Sequence, residues 1–263
     1  MFDAMTTKTL REGHRALVGF AAGTALVAAA YAGFYPQVAG GAMDQTVQGF
    51  SPGLREALRM DDLASAAGYL GSSVFGIIVP LIAVGYGITV GTRAVAGDEE
   101  AGQLDLLLAH PVSRTRLILA RFAALTTGAL LIAATVWLAM LAIRSGAELR
   151  DISVTQFAAQ CAALALLTIT FGTIALALGA ITGSRATTLG ATAGIAVLTY
   201  AVHTMAGPIG VDGLRYLSPF HYYDGGEPLR HGFQWAHLAI LAGATALLLA
   251  VGVRAFNRRD LTS

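Results

Sequence analysis

Charge is scarce in this sequence. Asp, Glu, Lys and Arg together make up 13% of the 263 residues, about half of the ~25% that is usual for soluble domains. A further 55% of the residues are hydrophobic. Because a soluble globule of this size needs a charged surface, the composition indicates a protein that lies mainly in lipid.

Cysteine and lysine are also nearly absent, and common catalytic motifs are missing. Cys161 is the single cysteine, which excludes an internal disulfide and a cysteine-based metal site. No glycine loop precedes Lys8, the only lysine, so the chain has no P-loop for a nucleotide triphosphate. Neither H-E-x-x-H nor G-x-S-x-G occurs. We therefore expect no catalytic residues, no cofactor and no metal on this chain, and no nucleic-acid partner.

What the sequence does contain is six long runs without charge. Each run exceeds the ~20 residues with which a helix crosses a bilayer. Since one ionised side chain at mid-membrane costs about 3 kcal/mol, runs of this length predict spanning helices. The predicted spans are 16–35, 70–92, 121–143, 155–181, 186–206 and 236–255. The expected fold is an all-α integral membrane protein, a single domain over residues 1–263.

The distribution of cations predicts the orientation of these spans. Eleven of the 17 Lys and Arg residues fall in the two termini and in the second and fourth loops. The other three loops hold six arginines among nine acids. The positive-inside bias therefore predicts cytoplasmic termini, a cytoplasmic loop at 94–120, and external segments at 36–67, 144–153 and 207–235.

Two of the external segments are expected to fold. Residues 51–63 carry leucines at helical spacing among charges, which predicts an amphipathic surface helix. Residues 207–235 are rich in Pro, Gly and aromatic residues, which predicts an external cap of short helices and turns. Four histidines lie near this cap, and a metal site there is left open as an alternative to membrane anchoring. They are His203, His221, His231 and His237.

The remaining charge is concentrated between residues 93 and 121, where eight positions are charged. Asp98 is expected to cap a short helix, with Glu99 and Glu100 in its first turn, where acids favour the positive end of the helix dipole. An apolar stripe follows, formed by Leu104, Leu107 and Leu108. The predicted element is an amphipathic helix that faces water or a partner.

The boundary between this helix and the third span is expected to be set by a proline and a serine. Pro111 is expected to stop the short helix, and Ser113 to cap the next one, which runs into the span.

This stretch, GDEEAGQLDLLLAHPVSR, resembles the membrane subunit of type-2 ATP-binding-cassette export transporters, in which E-E-x-G-T-L-E-L-L-L-S-x-P-V-S-R lies between the second and third spans. The matching residues are Glu99, Glu100, Gly102, Leu104, Asp105, Leu106, Leu107, Leu108, Pro111, Val112, Ser113 and Arg114. Gln103, Asp105 and Ala109 stand where Thr, Glu and Ser are usual. The external LSPFHYYDGGEPLRHG is similar to a second segment of such permeases.

The resemblance implies that the loop carries a coupling helix, which fits a groove on a separate ATPase subunit. The residues expected to couple to that ATPase are Asp98, Glu99, Glu100, Gly102, Leu104, Leu107, Leu108, Pro111 and Arg114. ATP and Mg would be bound by the partner, and a second permease copy, identical or similar, would complete a pathway for export across the plasma membrane.

Two other classes of function stay open at this point. One is a self-sufficient six-helix carrier or channel, in which the charged loop would be only a gate or a trafficking element. The other is a membrane-anchored scaffold without transport. Neither substrate nor direction follows from the residues themselves.

Overall fold

The computed structural model describes residues 2–41, 49–57, 60–100, 102 and 113–259. Within these ranges all regular secondary structure is helical. The predicted all-α class is therefore confirmed.

Six long helices account for most of the described chain, and each overlaps one predicted span. They are α1 (Phe2–Ala32), α2 (Ala66–Gly97), α3 (Arg114–Ile143), α4 (Val154–Thr182), α5 (Arg185–Met205) and α6 (Trp235–Arg258). Five candidate spans within the described residues are long and apolar enough to cross a membrane, and they involve α1, α2, α3, α4 and α6. At 21 residues α5 has the necessary length, but five threonines and an arginine make it more polar.

Serine residues fix where three of these helices begin. Ser113, Ser153 and Ser184 are extended, and each side-chain oxygen accepts a hydrogen bond from the backbone N–H three residues later, at 3.2–3.3 Å. Such caps satisfy N–H groups that have no partner within the helix. The predicted cap at Ser113 is thereby confirmed.

The centre of the bundle is α4, which packs against α2, α3, α5 and α6, while α1 packs mainly on α3. Gly87 and Gly91 of α2 lie directly against the α4 backbone, at Thr168 and Gly172. Small residues one turn apart allow this close approach, a major source of packing energy in lipid. On the side facing α6, Thr170 and Thr245 share a buried 2.9 Å hydrogen bond.

Short helices fold over the end of the bundle at which α4 begins. They are Tyr35–Ala39, Pro52–Ala57, Ala66–Tyr69 (the first turn of α2), Pro219–Asp224 and Pro228–His231, with 3₁₀ turns at Met60–Asp62 and Asp212–Leu217. The predicted surface helix over 51–63 thus includes one α-helical turn and one 3₁₀ turn, and Leu58 lies outside the described residues.

Contacts tie these short helices to the long ones. Gln156 of α4 donates to the Arg230 carbonyl at 2.6 Å, Tyr223 donates to the Phe75 carbonyl at 2.9 Å, and Arg230 is paired with Asp62. We call this the distal end of the bundle, since it is separated by the length of α4 from the 93–121 loop.

Candidate functional site

The residues predicted to couple to a partner divide into described and undescribed ones. Glu99, Glu100 and Arg114 are described with their side chains, Gly102 is described, and Asp98 is described for its backbone alone. The apolar stripe and the helix-stopping proline lie outside the described residues, namely Leu104, Leu107, Leu108 and Pro111.

Asp98 does not begin a new helix, so its predicted role as an N-cap is wrong. The chain stays helical from α2 through a π-helical turn, Arg93–Gly97, and on to Glu100. This turn stays helical because Ala94, Val95 and Ala96 are buried. The three acids therefore stand at the C-terminal end of a helix rather than at its start.

That position is electrostatically unfavourable, because a helix C-terminus carries partial negative charge. The helix is described to Glu100, and Gly102 lies in a turn, with a backbone φ of 66° and an N–H that donates to the Glu99 carbonyl at 3.0 Å. Acidic side chains here need cationic or N–H partners from elsewhere in the chain.

Glu99 finds its partner at the end of the last helix. Its two carboxylate oxygens accept hydrogen bonds from Nη2 and Nη1 of Arg259, at 2.5 and 3.0 Å. Bidentate pairs of this kind have a fixed geometry and are stronger than single hydrogen bonds. The pair fastens the 98–100 turn to the residue that follows α6.

The Arg259 guanidinium lies against Gly183, the residue that ends α4. Gly183 has a φ of 64°, and a side chain at this position would meet the guanidinium. Glycine is needed here for both reasons, since it adopts positive φ without strain and leaves room for the cation.

Glu100 is held by the start of another helix. Its Oε1 accepts a hydrogen bond of 2.8 Å from the backbone N–H of Arg185, the first residue of α5. The N-terminus of a helix carries partial positive charge and free N–H groups, so it is a favourable partner for a carboxylate.

Arg114 binds the C-terminus of α6 from the other side of the loop. Its Nη1 donates to the carbonyls of Phe256 and Arg259, at 3.1 and 2.5 Å, and its guanidinium lies 5.7 Å from the centre of the Phe256 ring. A cation satisfies carbonyls that have no partner in the last turn of a helix. Asn257 adds a 2.9 Å hydrogen bond to Thr115.

We call Glu99, Glu100, Arg114, Arg185 and Arg259 the loop-end cluster. It joins both sides of the 93–121 loop to the ends of α5 and α6, above a small apolar core. A displacement of the loop would therefore be passed to those helix ends through defined polar contacts. The core residues are Ala94, Val95, Leu117, Ile118, Leu176, Ala180 and Phe256.

The sequence identified three members of this cluster but missed the roles of Arg185 and Arg259. In the sequence both residues stand out only as cations on the side of the membrane that is predicted to be cytoplasmic. Their positions, at the first residue of one helix and just after the last residue of another, were the available signal.

The distal end contains a second feature, a cavity of about 480 Å³ beneath the short helices, which we call the distal cavity. Its wall includes His203, whose Nε2 lies 2.9 Å from Oδ1 of Asp224, and His221. Partial burial and the nearby His203, His237 and Arg215 lower the pKa of His221. No group of three potential ligands for a metal ion occurs among the described residues.

Comparison with known proteins adds a family assignment. A family model described as ABC-2 family transporter protein matches residues 5–261, nearly the whole chain. A search of curated proteins gives no match.

Proposed function

Because this chain belongs to the ABC-2 transporter family, we propose that it forms half of a dimeric export pathway, driven by a separate ATPase that docks on the 94–120 loop. Membership makes it the membrane subunit of an ABC transporter, a multi-pass membrane protein with an ATP-binding partner subunit. We further propose that the chain crosses the membrane six times, through the five candidate spans and through α5. Residues 1–263 would then form a single permease domain.

The loop-end cluster is the observation that supports coupling between the ATPase and the spans. The loop that resembles a coupling helix is attached to α5 and α6 by Glu99, Glu100 and Arg114. A rigid-body shift of the loop, imposed when the ATPase closes on ATP and Mg, would then reach the spans. Such a shift has to favour one of two conformations to drive alternating access.

Within this proposal the acids and the leucines have different tasks. Glu99 and Glu100 are among the residues that the resemblance assigns to coupling, and both acids are bonded within this chain. We therefore assign transmission to the acids and docking to the apolar stripe represented by Leu107. Apolar docking depends little on salt, whereas charge pairing is screened.

Dimerisation is proposed to use the open face of α5. Gly190 and Gly194 have no neighbouring atoms within 4 Å of where a side chain would begin, and Val197 and Leu198 are 70% and 64% exposed. A small-residue pair one turn apart, beside exposed aliphatic residues, suits close packing against a second copy of the same helix. Cysteines at Ala201 in a Cys161→Ala background should cross-link two copies, whereas cysteines at exposed Leu81 of α2 should not.

The orientation follows the cation distribution. Both termini and the 94–120 loop are proposed to lie in the cytoplasm, and the distal end outside the cell, with the plasma membrane between them. The proposed direction of transport, export rather than import, is based on the family alone.

Purification of the chain with and without its ATPase tests the proposal. We expect no ATP hydrolysis by the chain alone, ATPase capture by the parent, and loss of capture for Leu107→Ala at both low and high salt. Loss of one buried leucine contact corresponds to about 1–3 kcal/mol. The matched control is Leu130→Ala, which removes an exposed α3 side chain. A self-sufficient carrier predicts no capture by any variant, and that result would overturn the subunit role.

A further inference from the structure

The distal cavity contains a buried polar group that the protein itself leaves without a partner. Gln160, on α4, is 2% exposed and lines the cavity, and its side-chain nitrogen has no hydrogen-bond partner among the described residues. A buried amide without a partner loses the hydrogen bonds that water would supply. Buried polar groups in native proteins nearly always have a partner, supplied by protein, water or a ligand, so the partner of the Gln160 amide has to come from the contents of the cavity.

The cavity has the size and the shape for a small molecule. Its volume of about 480 Å³ lies in the range of small-molecule sites, which is about 300–1,000 Å³. One wall is the π-helical stretch Leu70–Ile78, which presents Gly71 and Gly76 to the cavity. π-helical turns are rare and occur frequently at functional sites.

Charge along the wall favours a cation. Three acids line the cavity against two arginines. The acids therefore outnumber the arginines by one, and burial together with the neighbouring His203, His237 and Arg215 lowers the pKa of His221. The acids are Asp62, Asp224 and Glu227, and the arginines are Arg215 and Arg230. Asp224 is the most buried of the five, at 9% exposure.

Aromatic side chains reinforce this preference. Phe75 and Tyr200 line the cavity together with His221. The face of an aromatic ring attracts a cation, and such contacts strengthen where water is excluded. Aromatic rings, a buried carboxylate and an amide without a partner form a site suited to an ammonium group that also carries a hydrogen-bonding oxygen.

We propose that the distal cavity binds a small organic ammonium compound, in which the cationic nitrogen lies near Asp224 and the aromatic wall, and a polar oxygen bonds Gln160. The same chemistry occurs in free amines and in amine headgroups of lipids. The inference does not rest on the proposed transport function, because binding can be measured on the purified chain without an ATPase.

Calorimetric titration of the full chain in detergent with choline tests the inference. The uncharged isostere 3,3-dimethylbutanol has the same shape without the charge. We expect choline to bind about tenfold more tightly than the isostere. Equal binding of the two compounds, or no binding of choline, would overturn the proposal.

Two variants with matched controls test the named residues. Gln160→Leu and Asp224→Asn should each weaken choline binding by about tenfold, whereas Gln37→Leu and Asp151→Asn, at exposed positions, should bind as the parent does. Gln160→Leu should also raise the unfolding temperature without ligand, since it removes the unsatisfied amide. If Asp224→Asn fails to fold, Gln160→Leu decides alone, and parental affinity in that variant would refute the role of Gln160.

Nanodiscs distinguish the two sources of the amine. Discs of phosphatidylglycerol are compared with discs that also contain phosphatidylethanolamine, with ethanolamine as the titrant. Weaker ethanolamine binding in the second discs supports a lipid headgroup as the ligand, and equal affinity supports a free amine. Absence of both choline and ethanolamine binding in both discs, together with unaltered unfolding temperatures, would contradict an ammonium site of either kind.

Discussion

The ion pair between Glu99 and Arg259 gives the sharpest test of how motion leaves the 93–121 loop. We consider Glu99→Gln, which removes the charge at nearly constant volume. The loop would keep its apolar stripe, but the 98–100 turn would lose its charged attachment to the end of α6. If the acids transmit motion, the ATPase should still bind, and the spans should follow it less well.

The structure sets the size of this effect. Hydrogen bonds to charged groups contribute about 1.5–3 kcal/mol, and fully exposed ion pairs about 0–1 kcal/mol. The two side chains are 25% and 23% exposed, which lies between those situations. We therefore expect a loss of about 1–2 kcal/mol, a factor of about 5–30 in the equilibrium that the pair stabilises.

Spin-label distances measure that equilibrium directly. Labels at Leu189 of α5, which is exposed beside the proposed dimer face, and at Arg254 of α6, in a Cys161→Ala background, should report a distance change when ATP and vanadate trap the ATPase. In Glu99→Gln the equilibrium constant between the original and the changed distance should decrease by a factor of about 5–30. Capture of the ATPase should stay as in the parent. The charge exchange Glu99→Arg with Arg259→Glu should restore the parental response in part.

Two results would refute this reasoning. One is a parental distance response in Glu99→Gln, which would mean that the pair transmits nothing. The other is a salt-sensitive loss of ATPase capture, which would mean that Glu99 contacts the partner instead. Glu148→Gln, at an exposed position on the loop between α3 and α4, is the matched control.

Three further predictions concern topology, backbone conformation and pH. A single cysteine at position 103, in a Cys161→Ala background, should resist an impermeant reagent applied to intact cells, and labelling from outside would contradict the cytoplasmic assignment. Gly183→Ala should lower the free energy of unfolding by about 1–2 kcal/mol from positive φ alone. It should destabilise the protein more than Gly210→Ala does, because Gly210 also has a positive φ, of 72°, but no close neighbours, whereas a side chain at position 183 displaces Arg259. Equal unfolding temperatures for the two variants would show that the arginine contact adds nothing. The lowered pKa of His221 means that the unfolded chain binds the proton more readily than the folded chain does. The stability of the fold should therefore decrease as the pH drops below about 6.5. Thermal unfolding measured at different pH values should show a smaller decrease in His221→Asn.

Much of the fold could be read from the sequence, because the bilayer imposes a strong constraint on composition. A charged residue is costly in hydrocarbon, so the gaps between charges predicted the long helices to within a few residues at most of their ends. Ser113 predicted the start of α3 for a similarly local reason, since a cap involves residues only three apart.

The π-helical turn before Asp98 could not be predicted in this way. A cap residue looks the same in sequence whether the preceding residues are helical or not. Here Val95, with 0% exposure, is buried in an apolar core shared with α3, α4 and α6, and this burial keeps the chain helical up to the acids. The packing of other helices therefore overrode the local preference.

The two candidate sites were likewise decided by tertiary structure. Sequence alone determined that a charged loop exists, that it resembles a coupling segment and that the chain crosses the membrane several times. Only the fold brought Arg259 to Glu99, 160 positions away, and enclosed Gln160 in a cavity with Asp224. Spacing along the chain governs contacts within one helix, whereas contacts between helices depend on which faces pack, and that is fixed by the summed burial of the whole bundle.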